Sequence, residues 1–165
     1  MSNSNIDYSQ KVVEMRNITK KFGSFVANDN INLTVHKGEV HALLGENGAG
    51  KSTLMNILYG LYTPTSGEIY IDGELVSIHN PNIAIEKGIG MVHQHFMLVP
   101  SLTVAENLIL GHETTKSGFI NIEEAIAQTE EISKKYNLKV NARAKVKDIS
   151  IAMKQKLERL KALYR

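Results

Sequence analysis

The sequence has 165 residues, enough for one domain with its own core, and its 42% apolar content is ordinary for a globular protein. A formal charge of +2 gives no reason to expect nucleic acid or anionic lipid as a partner, and the absence of cysteine excludes a disulfide framework and any thiolate metal site. No apolar run approaches the roughly 20 residues that span a bilayer, and the first residues lack the basic start and apolar centre of a signal peptide, so the expected location is the cytosol.

In chain order, Met1 to Gln10 reads as a polar tail, and residues 11–165 read as one structural unit of mixed α and β type. Val12 to Arg16 opens a strand pattern, and Phe22-Gly23-Ser24 is a turn. Ile31, Leu33 and Val35 alternate with Asn32 and Thr34, the period of a half-buried strand that Lys37-Gly38 turns. The apolar run Val40 to Leu44 predicts a buried strand. A glycine-rich loop, Gly45 to Gly50, leads to helical spacing over Ser52 to Leu61. Ile69 to Ile71, Asp72-Gly73 and Leu75 to Ile78 predict a β-hairpin, because Asp-Gly supplies the positive φ angles of a tight turn. Pro81 to Lys87 predicts a short helix closed by Gly88, and Ile89 to His93 another strand. Thr103 to Leu110 and Glu123 to Tyr136 predict helices. In the last stretch Met153, Leu157, Leu160 and Tyr164 share one helical face, with Lys154, Lys161 and Arg165 elsewhere. The basic stretch from Lys154, interrupted by Glu158, reads as a solvated helix face, and no nucleic-acid partner is expected.

The chemistry concentrates in Gly45-Glu46-Asn47-Gly48-Ala49-Gly50-Lys51-Ser52, which fits G-x-x-x-x-G-K-[ST] at every fixed position. Glycines let the backbone curl so that successive N–H groups point at phosphate oxygens, and the helix that follows adds its positive end. Lys51 supplies a cation for the β- and γ-phosphates, the Ser52 hydroxyl can ligate Mg²⁺, and Thr53 can add a second hydroxyl. His93 and His95 form an H-x-H pair without an apparent third ligand, so no metal site is expected there.

Longer segments carry a family resemblance. GENGAGKST (Gly45 to Thr53) resembles the Walker A loop of ABC ATPases, and GIGMVHQHFMLVPSLTVAENLILG (Gly88 to Gly111) is similar to their Q-loop region, above all in the bacterial importers of simple sugars and nucleosides. LYGLYTPTSGEIYIDG (Leu58 to Gly73), the opening from Met15 to Gly48 and the closing LKALYR are similar to the same family. The resemblance implies an α/β fold, a P-loop NTPase core with an antiparallel β arm. It implies an ATP-binding subunit that uses ATP and Mg²⁺, pairs with a second ABC domain and drives transmembrane permease subunits from the inner face of the membrane. It places an adenine-stacking aromatic at Phe22 and the Q-loop glutamine, a ligand of Mg²⁺ or of the attacking water, at Gln94. It sets His95, Phe96 and Met97 where the domain meets a membrane subunit, and the signature serine at Ser150.

Two departures qualify it. Where the family signature carries a glycine that approaches the γ-phosphate, Ile149-Ser150-Ile151-Ala152-Met153 has Ala152. No Asp-Glu pair occurs in the 165 residues, so the chain reads as truncated before the Walker B strand, without the acidic Mg²⁺ partner, the catalytic glutamate or the switch histidine. These residues alone are therefore expected not to turn over ATP. Two other readings stay open: a truncated or decayed nucleotide-binding fragment, and a soluble ABC ATPase outside transport.

Overall fold

The computed structural model describes residues 7–93, 96–111, 115–116 and 119–164. The chain divides into two compact units, one ending at Ile89 and the other starting at Gly90.

The first unit is built on a four-stranded antiparallel sheet. Strand β1 (Asp7–Phe22) pairs with β2 (Phe25–Lys37) on one side and with β3 (Ser66–Ile71) on the other, and β4 (Glu74–Val76) pairs with β3. Four residues of the stretch read as a tail, from Asp7 to Gln10, thus belong to β1. Opposite Met15 stand Leu33 on β2 and Ile69 on β3, so one face of three strands is apolar in register. The β3–β4 hairpin turns on Asp72 (φ 49°) and Gly73 (φ 83°), as the Asp-Gly pair predicts. Helix α1 (Lys51–Leu58) adds Leu54 and Ile57 to the core, and α2 (Pro81–Glu86) adds Ala84. Asn80 caps α2 by accepting from the Ile83 N–H, with Pro81 in the first turn.

Two expected strands are absent. Val40 to Leu44 forms no ladder with the described strands, and Val40 and Leu44 are 96% and 92% exposed. Ile89 to His93 is likewise irregular. An apolar run becomes a strand only when a neighbour takes its N–H and C=O groups, and neither run pairs with a strand of the sheet β2-β1-β3-β4.

The second unit is mainly helical: α3 (Val104–Ile109), α4 (Ile122–Lys135) and α5 (Ile151–Tyr164), with a 3₁₀ turn over Val146–Asp148 and a small ribbon of β5 (Thr115–Lys116) with β6 (Phe119–Ile120). Thr103 and Glu106 form a reciprocal capping box on α3, each accepting from the other's backbone N–H. Val104, Leu108, Val146, Leu157 and Leu160 make one core cluster; Ala105, Ile109, Ala125, Ile126 and Ala142 make another. Leu157 and Leu160 lie on the predicted inner face of α5, and Tyr164 donates from its hydroxyl to Gln128 at 2.6 Å. Glu158 and Lys161, assigned to solvent by their charge, are instead buried, for a reason taken up below.

Candidate functional site

The loop from Gly45 to Gly50 follows the irregular segment Val40 to Leu44 and turns into α1. Gly48 and Gly50 both hold left-handed backbone (φ 86° and 80°), which glycine adopts without a side-chain clash. The Ala49 N–H donates to the Glu46 carbonyl at 3.2 Å, closing a turn inside the loop. The Lys51 ammonium folds back over it, donating to the carbonyls of Gly45 at 2.6 Å and Glu46 at 2.7 Å. Lysine and loop therefore form a closed ring, with the cation on the side from which the loop emerges.

Gly50 is the N-cap of α1 and provides no side-chain cap, and no acidic residue stands in the first turn. The positive end of the helix is thus left uncompensated by the protein, the condition under which a helix start favours an anion. Ser52 is exposed on that first turn, Thr53 is half-buried beside it, and Glu46 and Asn47 are exposed on the loop.

What holds the loop was not evident from the motif. Asn28 of β2, 5% exposed, donates through Nδ2 to the Gly50 carbonyl at 3.1 Å. A Cβ placed on Gly50 would meet the Ala27 carbonyl oxygen at 2.3 Å and Asn28 Nδ2 at 2.6 Å. Strand and loop therefore touch backbone to backbone, and glycine is needed at 50 for closeness as well as for φ.

Phe22 ends β1 at the β1–β2 turn, 43% exposed. Its ring meets Tyr62 edge-on at 5.3 Å, and the Lys20 ammonium lies 5.0 Å from the Phe22 ring and 5.8 Å from that of Tyr62. This accessible aromatic corner includes Tyr62 and Lys20, neither singled out by the motif. Ser150 precedes α5 and caps it, its Oγ accepting from the Met153 N–H at 3.3 Å; Ser150 and Ala152 are exposed. Gln94 and His95 lie outside the described residues. The structure thus unites Gly45 to Thr53 into one site, with Phe22 in the same unit and Ser150 in the other.

For Mg²⁺, the exposed hydroxyl of Ser52 at the start of α1 is a fitting hard-oxygen ligand. Among the described residues no cluster of three acidic or histidine side chains could hold a metal by itself. No helix among the described residues is long and apolar enough to cross a membrane.

A glycine loop ringed on its own lysine at the mouth of a helix, beside an antiparallel arm, defines the P-loop class of nucleotide-binding proteins. The family described as ABC transporter matches residues 28–165, and the chain belongs to that family. It is 60% identical over 154 residues to the guanosine import ATP-binding protein NupO of Bacillus subtilis (strain 168), covering 93% of this chain and 30% of that protein. It is 53% identical over 157 residues to the nucleoside import ATP-binding protein NupA of Lactococcus lactis subsp. cremoris (strain MG1363), covering 95% and 31%. The chain thus spans about 30% of the length of these relatives. Among solved structures, a nucleotide-free ATP-binding cassette from an ABC transporter superposes with TM-score 0.79 at 26% identity, over 93% of this chain and 65% of that one. The ATP-binding cassette MJ0796, in a dimeric post-hydrolysis state bound to ADP and Pi, gives TM-score 0.69 at 33% identity over 92% and 69%.

Proposed function

We propose that these residues are the phosphate-gripping part of an ATP-binding subunit that powers import of a nucleoside or simple sugar. The observation that carries it is the ring of Lys51 on the Gly45 and Glu46 carbonyls at the uncapped start of α1. The names of the relatives from Bacillus subtilis and Lactococcus lactis support the cargo class.

In this reading the phosphates of ATP lie against the loop N–H groups and the start of α1. An ammonium has three donors; two close the loop and the third serves a phosphate oxygen. Ser52 and Gln94 would hold Mg²⁺, which neutralises phosphate charge when bound. Phe22 would stack on adenine, with its edge braced by Tyr62. Ser150 would meet the γ-phosphate of nucleotide held by a second ABC domain. Phe96 and Met97, 40% and 62% exposed, would face the permease subunit, so that the protein works at the inner surface of the membrane.

The test is titration calorimetry with Mg-ATP. A charge-assisted contact is worth about 1.5–3 kcal/mol, so Lys51→Ala should weaken binding roughly ten-fold or more. Equal affinity for wild type and variant sinks the assignment. The cargo class is tested separately, by uptake of labelled guanosine and ribose in cells with and without the gene; uptake of both unchanged on deletion removes that part.

A further inference from the structure

Among the polar side chains of the second unit that are at least nine-tenths buried, three have no use in the proposed chemistry yet share one target: Asn107 at 0%, Glu158 at 4% and Lys161 at 9% exposure. All three act on one short irregular segment. The Glu158 carboxylate accepts from the Met97 N–H at 2.7 Å, and the Lys161 ammonium donates to the Met97 carbonyl at 3.3 Å. Asn107 accepts from the Val99 N–H at 2.7 Å and donates back to the Val99 carbonyl at 3.0 Å. Both backbone groups of two alternate residues are therefore satisfied by side chains of α3 and α5, the pairing a neighbouring strand would otherwise make. Leu98, between them, packs on the core cluster of Leu108, Leu157 and Leu160, while the Met97 side chain points outward.

The two charges sit one turn apart on α5 and are of opposite sign, so the pair adds no net charge to the interior. Further along the same helix, a Cβ on Gly90 would stand 3.0 Å from the Ala162 carbonyl oxygen, so the chain is also held close to α5 at Gly90.

We infer that Glu158, Lys161 and Asn107 are positioning residues that hold Met97 to Val99 as a fixed edge and so present Phe96 and Met97 as a rigid apolar knob. A bare loop would lose conformational freedom whenever a partner seated those side chains; a loop already clamped has lost it beforehand. The use of the knob rests on the reading above that Phe96 and Met97 face the permease, but the clamp itself does not.

Amide hydrogen exchange on the full chain tests the clamp without nucleotide or permease. Glu158→Leu should speed exchange at Met97 roughly ten-fold or more, and Asn107→Leu should do the same at Val99, while Thr129 in α4 keeps its rate. Glu158→Gln keeps an acceptor oxygen and should restore most of the protection at Met97. Unchanged exchange at Met97 in Glu158→Leu, or acceleration spread equally over α4, overturns the inference. Should Glu158→Leu fail to fold, Lys161→Met leaves the N–H acceptor in place; it should move the carbonyl ¹³C shift of Met97, and an unmoved shift counts equally against the clamp. A Phe96→Cys cross-link to the permease subunit reads the docking separately: it should form with the clamp intact and weaken in Glu158→Leu. Its absence with the clamp intact sinks the docking assignment and leaves the exchange result standing.

Discussion

At the scale of single residues, the phosphate loop shows two different demands for glycine. Gly48 holds φ 86° with nothing within 4 Å of where a Cβ would stand, so its requirement is purely conformational. Gly50 holds φ 80° and lies against the Ala27 carbonyl and the Asn28 amide, so a methyl there must also displace β2. A left-handed non-glycine residue costs about 1–2 kcal/mol, and forcing atoms into a filled contact adds about 1–3 kcal/mol. Gly48→Ala should thus lose about 1 kcal/mol of stability and Gly50→Ala about 3 kcal/mol, read from urea midpoints. Equal losses would show that the close approach of strand and loop is not maintained. Asn28 adds a further point: among the described residues its buried Oδ1 has no hydrogen-bond partner, while its Nδ2 donates to the Gly50 carbonyl.

At the scale of elements, the segment leaving β2 is tied down by Glu39. Its carboxylate accepts the His36 backbone N–H at 2.7 Å and meets the side chains of His41 at 2.7 Å and His36 at 3.1 Å. The His36 N–H first, then the His41 side chain, hold the Glu39 carboxyl down at about 2, against 4.5 for an ordinary glutamate. Glu14 is lowered as well, chiefly by its hydrogen bond from the Lys11 ammonium and then by that from Arg16. The unfolded chain therefore binds more protons than the folded one below pH 4.5, and stability must fall there as protons are added. The contribution of Glu39 is whole above about pH 4.5 and is lost as pH falls to about 2. Unfolding midpoints measured from pH 6 down to 2 should decline less steeply in Glu39→Gln than in wild type. Parallel declines would mean that the His36–Glu39–His41 cluster does not persist in solution.

At the scale of the whole molecule, what could be read from the sequence is what depends on near neighbours. The Asp72-Gly73 turn and the helix starts at Pro81 and Thr103 each need residues within four positions, and each forms where the sequence places it. The closure of Lys51 on its own loop is local in the same sense, whereas the roles given to Phe22, Gln94 and Ser150 come from resemblance rather than from local pattern. Val40 to Leu44 was misread because a strand is made by a partner remote in sequence. Glu158 and Lys161 were misread because a charged face is solvated only if nothing packs on it, and here the Met97 backbone does. The same distinction between local and distant parts governs turnover. Gripping phosphate takes the loop, Lys51 and the start of α1, all within ten residues of chain. Hydrolysis also takes a base and further metal ligands, drawn from distant positions. The 165 residues contain no Asp-Glu pair, and the described residues hold no acidic or histidine cluster fit for a metal. A positioned general base contributes roughly 10²–10⁴-fold, so without one turnover would fall toward background. These 165 residues by themselves should bind Mg-ATP yet release phosphate no faster than their Lys51→Ala variant. A steady release that disappears in Lys51→Ala would mean that a carboxylate among these residues serves as the base, and Glu46, exposed on the loop itself, would be the first to substitute.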